Sequence, residues 1–333
     1  MSSAGPSLVM SPLGVPEFSL VIPVFNEEES LTALLAFIAS AMDPLGRPYE
    51  ILFIDDGSTD RSLAMLKEIE RTQRHIRVFS FRRNLGKSAA LTCGFQAAAG
   101  HYVLTMDADL QDDPHNLTGM LEHMHATDAD IVGGWRRERR DSAMKVVSSK
   151  LFNRLTVRLL FRRSFEDMNC GLKLYRGDAA RGLRLYGGMH RFIPIIASEL
   201  GFRVVEYPVK HNERKFGSSK YRFSKIFTEI PDLLTVYFLV KYTTRPLHFF
   251  GRVGTVLFGI GFVALVYLTV LWLGGTPIGT RPLLAFGVLM VLIGGHTIFT
   301  GLLADLIVNQ QQSRRQDYPL RYSSPERTPR GTA

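Results

Sequence analysis

The chain has 333 residues, 46% of them hydrophobic and 21% charged. At roughly 100–200 residues per domain this is one large domain and something more, which excludes a peptide, a disulfide knot and a low-complexity linker. Forty Lys and Arg against 31 Asp and Glu leave a net charge of +9, pointing to an anionic partner without choosing among lipid, nucleotide and nucleic acid. Two cysteines, Cys93 and Cys170, cannot frame a disulfide scaffold or a closed zinc site, and fit a reducing, cytosol-facing protein.

Residues 1–17 carry prolines and glycines with no basic residue ahead of an apolar run, so a flexible N-terminus is expected and not a secretory signal. From Phe18 to about Tyr207 strand and helix signals alternate, which predicts an α/β domain with a mostly parallel sheet. Ser19–Val24 reads as a buried strand, and Asn26-Glu27-Glu28-Glu29 opens a helix. Glu50–Ile54 is the next strand, closed by Asp55-Asp56-Gly57-Ser58-Thr59-Asp60, where Ser58 or Thr59 is placed to cap a helix running to Glu70. Arg77–Phe81, His101–Met106, Asp130–Gly133 and Arg203–Tyr207 complete the expected strands.

Arg136 to Arg163 holds ten basic and two acidic residues. Lys150, Arg154 and Arg158 recur every fourth position there, with Met144, Val147, Leu151, Leu155 and Leu159 on another face. This amphipathic basic helix reads either as lying on a membrane surface or as a packed helix with a solvated charged face. Nucleic acid is not expected, because no recognition motif accompanies the charge. Residues 223–246 read as interfacial amphipathic helices. Val253–Leu273 has no charge over 21 residues; at about 1.5 Å per residue it spans about 31 Å, matching a hydrocarbon core of about 30 Å. Leu283–Ala304 is a second uncharged run, so residues 247–308 read as a transmembrane hairpin. Lys220, Arg222, Lys225, Lys241, Arg245 and Arg252 precede it, Arg314, Arg315 and Arg321 follow it, and the connection holds only Arg281, which places both ends in the cytoplasm. Tyr267 and Trp272 are expected near the far interface, and His296 is expected to pack between helices. Gly254, Gly259, Gly261, Gly294 and Gly295 can pack helices within one chain or between chains, which leaves a homo-oligomer open. Residues 309–333, rich in Arg, Ser, Pro and Gln, read as a disordered basic tail.

Ligands of open α/β sheets bind beyond the carboxyl ends of the strands, and here three such ends are acidic: Glu27, Asp55-Asp56, and Asp107-Ala108-Asp109-Leu110-Gln111. Strand-end aspartates also serve simply as helix caps, an alternative that is strongest for Asp55 and Asp60. Asp107, Asp109 and Gln111 offer three hard oxygen ligands that one turn can converge, a set suited to Mg²⁺ or Mn²⁺ bridging a diphosphate.

Pro23-Val24-Phe25-Asn26-Glu27, Ile54-Asp55-Asp56-Gly57-Ser58, Asn84-Leu85-Gly86-Lys87, the Asp107 to Gln111 segment, Met189-His190-Arg191-Phe192-Ile193-Pro194 and His211 to Tyr221 occur in this order. Together they resemble the family 2 glycosyltransferases, in particular the polyprenyl-phosphate glycosyltransferases related to dolichol-phosphate mannosyltransferase, in their bacterial-type, two-helix form. The resemblance covers roughly residues 18–308. It implies a GT-A type nucleotide-sugar-binding domain over residues 18–222, followed by interfacial helices and the hairpin. It further implies that Pro23, Phe25, Glu27, Ile54 and Asp56 hold the base and ribose of a UDP- or GDP-sugar. Asp107, Ala108, Asp109 and Gln111 would hold the sugar diphosphate through the metal, with Asp109 and Gln111 its direct ligands. Arg191, Arg214 and Lys220 match basic positions around donor diphosphate and acceptor phosphate, with His190 an alternative to Arg191. Phe25 stands where the family usually has Tyr, and Cys170 precedes Gly171 where the mannosyltransferase branch more often has Ser or Thr, which weakens mannose as the donor sugar.

The same residues make chemical sense by themselves. A polyprenyl monophosphate, with a second pKa of about 6, is largely dianionic at neutral pH and needs no general base to attack a sugar carbon. It needs charge control, for which Asp109 with a divalent cation, Arg214 and Lys220 are the candidate catalytic groups. A juxtamembrane cluster that serves only topology is the competing explanation of Arg214 and Lys220. The expected reaction is metal-dependent, inverting transfer of one sugar from a nucleotide sugar to a lipid phosphate on the cytosolic face. A polysaccharide synthase would need more spans and a Gln-x-x-Arg-Trp motif that is missing here. A silent nucleotide-binding scaffold is the remaining rival.

Overall fold

A computed structural model of the chain describes residues 15–137, 165–212, 235, 237, 238, 242, 245–279 and 281–312. The expected basic helix within 136–163, most of the interfacial segment and the tail therefore lie outside the described residues, as do Arg214 and Lys220. The chain divides into two compact units, Met1–Val236 and Tyr237–Ala333.

In the first unit β1 (Phe18–Val24), β2 (Tyr49–Asp55), β3 (Ile76–Ser80), β4 (Tyr102–Thr105), β5 (Ile131–Trp135), β6 (Lys173–Arg176) and β7 (Val204–Pro208) form one sheet in the order β3-β2-β1-β4-β6-β5-β7. All neighbours pair in parallel except β6, which runs antiparallel to both β4 and β5. Each of the six expected strands forms within a residue or two of its expected bounds, and β6 is additional. It escapes the apolar pattern because only Leu174 and Tyr175 stand between its charged ends.

A near-continuous apolar run such as Phe-Ser-Leu-Val-Ile-Pro-Val suits a central parallel strand covered on both faces. Phe18, Leu20, Ile22 and Val24 of β1 pack with α1 (Leu31–Met42), α2 (Ser62–Thr72) and α4 (Leu117–Thr127). Leu31, Leu34, Ile38 and Met42 give α1 its buried stripe. On the opposite face α3 (Lys87–Ala97) comes so close to β1 that a Cβ on Gly94 would lie 2.2 Å from Val21 Cγ1. At the amino edge of the sheet Glu50 is buried and accepts from Ser19 Oγ (2.6 Å), Ala99 N–H (2.8 Å) and Arg77 Nη1 (3.1 Å). The short helix α5 (Gly177–Gly182), a 3₁₀ turn at Met189–Phe192 and α6 (Ile193–Glu199) complete this unit.

Two local expectations are corrected. Helix α1 begins at Leu31, not within the Asn26–Glu29 run, because Asn26 adopts a left-handed backbone (φ 56°) that starts a turn. Neither Ser58 nor Thr59 caps α2: both bond Asn26, while Asp60 Oδ1 accepts from Ser62 N–H (2.9 Å).

The second unit contains α7 (Pro246–Leu273) and α8 (Pro282–Gln312), each with a stretch long and apolar enough to cross a membrane. Tyr267 and Trp272 are exposed. A Cβ on Gly254 would stand 2.7 Å from the Gly294 carbonyl, and one on Gly261 would stand 2.6 Å from the Gly287 carbonyl. Gly287, Gly294 and Gly301 recur every seven residues, as do Gly254 and Gly261, so the backbones meet along a heptad seam. Gly254, Gly261 and Gly294 therefore pack within one chain, whereas Gly259 and Gly295 face open space.

Candidate functional site

The carboxyl ends of β1, β2 and β4 lie side by side in register, so the segments that follow them converge. The turn after β1 is stitched to the turn after β2: Asn26 N–H donates to Ser58 Oγ (3.0 Å), Thr59 N–H to Asn26 Oδ1 (2.8 Å) and Glu27 N–H to Ser62 Oγ (2.9 Å). Pro23, Phe25 and Glu27 are half-buried on this rim, and the Glu27 carboxylate accepts from Ser30 Oγ (3.1 Å). Ile54 is fully buried in β2. Asp55 is fully buried too and accepts from Ser80 Oγ (2.7 Å) and Ser58 N–H (3.2 Å). The Asp56 carboxylate takes the backbone N–H groups of Leu85 (2.7 Å) and Gly86 (2.9 Å), fixing the loop that leads into α3. Gly57 (φ 72°) lets the two loops touch, since a Cβ there would fall 2.5 Å from the Arg83 carbonyl carbon.

Lys87, the first residue of α3, pairs its ammonium with Asp107 Oδ1 at the end of β4. Asp107 N–H donates to Asp112 Oδ2 (2.9 Å), and Gln111 N–H to Asp109 Oδ1 (3.2 Å). Asp109 and Asp112 are buried, as is Ala108 between the two carboxylates of the motif. Beneath them Gly171 admits the pair, since a Cβ on it would lie 2.5 Å from Asp112 Oδ2 and 2.9 Å from Asp107 Cγ. Lys173 is also buried, with its ammonium on the Cys170 carbonyl. On the α3 side, Ser88 Oγ accepts from His190 N–H (3.0 Å) and meets His190 Nδ1 (3.0 Å); Arg191 follows in the same turn.

The charges shape one another. Burial would raise the Asp107 carboxyl, but Lys87, with Lys173, outweighs it and holds the group below the ordinary carboxylate range. Asp112 is pushed up to about 7 by burial and by the Asp107 charge. Burial, then Lys87 and Arg191, depress His190 to about 3, so its imidazole is neutral at physiological pH. Among the described residues no three His, Cys, Asp or Glu side chains gather closely enough to enclose a metal ion. Asp107 and Asp109 with the Gln111 amide are a partial set of hard oxygen donors, fitting a divalent cation that completes its shell on a bound diphosphate.

Comparison with known proteins fixes the family. The Glycosyl transferase family 2 profile matches residues 19–183. A dodecaprenyl-phosphate galacturonate synthase from Rhizobium johnstonii is 38% identical over 301 residues, covering 87% of each chain. The chain belongs to glycosyltransferase family 2. An undecaprenyl-phosphate 4-deoxy-4-formamido-L-arabinose transferase from Pectobacterium carotovorum is 36% identical over 296 residues, 88% of each chain. A solved structure described only as a mycobacterial protein shares the fold, with a TM-score of 0.50 at 17% identity over 68% of this chain and 74% of that one. The mostly parallel sheet and the profile match make the first unit a GT-A type glycosyltransferase domain.

In this glycosyltransferase Asp107, Asp109 and Gln111 share one loop, and Asp56 lies across from them through Leu85 and Gly86. The chain entering the basic Arg214–Lys220 segment is tied to the same loop: Asn212 N–H donates to the Gln111 carbonyl (2.9 Å), and His211 bridges to Asp112. Sequence reasoning gave no role to Lys87, Ser88, Asp112, Gly171 or Lys173. Lys87 sits at a helix start at the end of Asn84-Leu85-Gly86-Lys87, and Asp112 directly follows Gln111, so both were within reach; Gly171 and Lys173 needed β6, which the first precedes and the second opens.

Proposed function

We propose that this glycosyltransferase moves one sugar from a UDP- or GDP-sugar to a polyprenyl phosphate, with inversion, at the cytosolic face of a membrane spanned by α7 and α8, with both termini cytoplasmic. The observation that carries this reading is the tie between the acidic loop after β4 and the chain entering the basic segment, the 2.9 Å bond from Asn212 N–H to the Gln111 carbonyl. It ties the loop that would neutralise a donor diphosphate to the chain that, two residues on in the sequence, reaches Arg214. The similarity to two polyprenyl-phosphate sugar transferases supports the acceptor class, and the two long apolar helices support its membrane location.

Asp107, Asp109 and Gln111 would hold Mg²⁺ or Mn²⁺, with Asp109 and Gln111 the direct ligands. Such a cation would neutralise the nucleoside diphosphate as it leaves. Pro23, Phe25, Glu27, Ile54 and Asp56 form the wall offered to the base and ribose, through backbone where Ile54 is fully buried. Arg214 and Lys220, with Arg191, offset the repulsion between incoming phosphate and departing diphosphate. The dianionic phosphate attacks the anomeric carbon directly, and a single displacement inverts that centre.

The test is transfer of radiolabel to the lipid phase by full-length protein in detergent with polyprenyl phosphate and Mn²⁺ or Mg²⁺. Donors of galacturonate and 4-deoxy-4-formamido-L-arabinose are the first to try. Chelator-sensitive lipid label is the expected result. Nucleotide binding without lipid label from any donor would replace this reading with a scaffold or a different acceptor.

A further inference from the structure

The carboxylates of the acidic loop already have a cation among them. The Lys87 ammonium bonds Asp107 and feels the charges of Asp112 and Asp109 as well, which hold it protonated in spite of its partial burial. It therefore occupies the electrostatic centre of the loop that is offered to a divalent ion. A lysine on Asp107 and a divalent cation held by Asp109 and Gln111 in the same loop repel one another, and the repulsion is strong where water is scarce.

The support of this ammonium is rigid on both sides. Asp56 fixes the backbone of Leu85 and Gly86 directly before it, and Asp112 fixes the amide of Asp107. The four-carbon stem of Lys87 is what remains free to turn, with about a third of the side chain exposed (31%). An incoming diphosphate offers the ammonium new anionic oxygens at the moment a cation enters beside Asp107.

We propose that Lys87 is an exchangeable counter-ion: it neutralises Asp107 in the ligand-free protein and passes to the donor diphosphate when a divalent cation held by Asp109 and Gln111 takes over that neutralisation, so that cation and nucleotide bind as a coupled pair. This rests on assigning the cation to the Asp107–Gln111 loop. By linkage, the factor by which nucleotide tightens cation binding equals the factor by which cation tightens nucleotide binding, and Lys87 supplies part of that factor from both ends. It opposes the cation when nucleotide is absent and favours nucleotide when the cation is present.

The test is Mn²⁺ binding to full-length protein in detergent, followed by the electron paramagnetic resonance signal of free Mn²⁺, with and without UDP and GDP. Lys87→Met keeps the stem and removes the charge. It is expected to bind Mn²⁺ alone about tenfold more tightly than the wild type, and to lose a similar factor from the enhancement that nucleotide gives. Lys87→Arg, which keeps the charge, is expected to retain weak binding of Mn²⁺ alone. If Lys87→Met binds Mn²⁺ alone no better than the wild type while both bind it with nucleotide, the counter-ion role is overturned and the cation site stands. If the wild type binds no Mn²⁺ even with nucleotide, the cation site itself is overturned, and the inference with it. Melting temperatures of the variants guard against misfolding: weaker binding of Mn²⁺ by a folded Lys87→Met protein also counts against the exchange.

Discussion

Gly171→Ala tests whether the floor of the acidic loop sets the reactivity of the site. The added Cβ would sit 2.5 Å from Asp112 Oδ2 and 2.9 Å from Asp107 Cγ, short of ordinary contact by about 1 Å. Asp112 cannot yield cheaply. It is buried, and its Oδ2 accepts the Asp107 amide at 2.9 Å, so a shift of about 1 Å breaks that bond. Overpacking costs about 1–3 kcal/mol and an orphaned, partly buried amide another 1–3 kcal/mol, so a loss of about 2–6 kcal/mol is expected. For a unit of this size, at about 2–4 °C per kcal/mol, that lowers the melting temperature by about 4–24 °C. Displacement of Asp107 by a fraction of an ångström to 1 Å is expected to cost up to about 100-fold in turnover of the protein that remains folded. The assays are a thermal melt of the detergent-solubilised protein and label transfer per folded molecule well below that melt. Unchanged stability would show that the floor relaxes freely, and lowered stability with unchanged turnover would show that the Asp107 position does not govern the chemistry.

Other substitutions separate the roles of different regions. Asp109→Ala is expected to abolish chelator-sensitive transfer while the protein still inserts into membranes; undiminished transfer would remove the cation assignment. Glu50→Ala strips Ser19, Ala99 and Arg77 of a shared partner at the edge of the sheet away from the acidic loop, so about 3 kcal/mol of stability should go with turnover per folded molecule preserved. In the hairpin, Gly294→Ala drives a Cβ to 2.5 Å from Phe258 N and should separate α7 from α8, whereas Gly295→Ala meets nothing within 4 Å. The second is expected to be neutral or to stabilise by up to about 1 kcal/mol through helix propensity, and equal melting temperatures for the two variants would contradict the seam.

The pattern of legibility follows from what a local sequence can encode. Six strands and both long helices were readable because their signal is an apolar run of the right length, and burial on both faces makes that run continuous. Strand β6 was not, since four residues with Lys173 and Arg176 at the ends carry no run, and its partners β4 and β5 decide its direction. The acidic loop was readable as a motif because its members lie within five residues. Its partners were not: Lys87 reaches Asp107 across 20 residues, Asp56 reaches Leu85 across 29, and Ser88 reaches His190 across 102. Such pairs carry no periodicity, so only the fold that closes those loops reveals them. Asp56 shows the difference most clearly, since a strand-end aspartate assigned to ribose also holds together the loop that presents Lys87.

Lys173 offers a case in which stability and function are expected to separate. Among the described residues its ammonium has one hydrogen-bond partner, the Cys170 carbonyl, and no carboxylate at ion-pair distance. Burial holds it below the ordinary lysine value. A lysine whose folded value lies below its unfolded one weakens the fold at every pH beneath both, so at neutral pH it opposes folding. Its charge nevertheless helps to keep Asp107 ionised. Replacing a buried charge with an apolar side chain of similar length is commonly neutral or stabilising by about 1–4 kcal/mol, less here for the carbonyl left unpaired. Lys173→Met should therefore melt at or above the wild-type temperature while binding Mn²⁺ more tightly, because Asp107 and Asp112 then lose a counter-charge that opposes the cation. A variant that melts lower and binds Mn²⁺ no more tightly than the wild type would reverse the assignment, making Lys173 a prop of the strand and not a charge of the site.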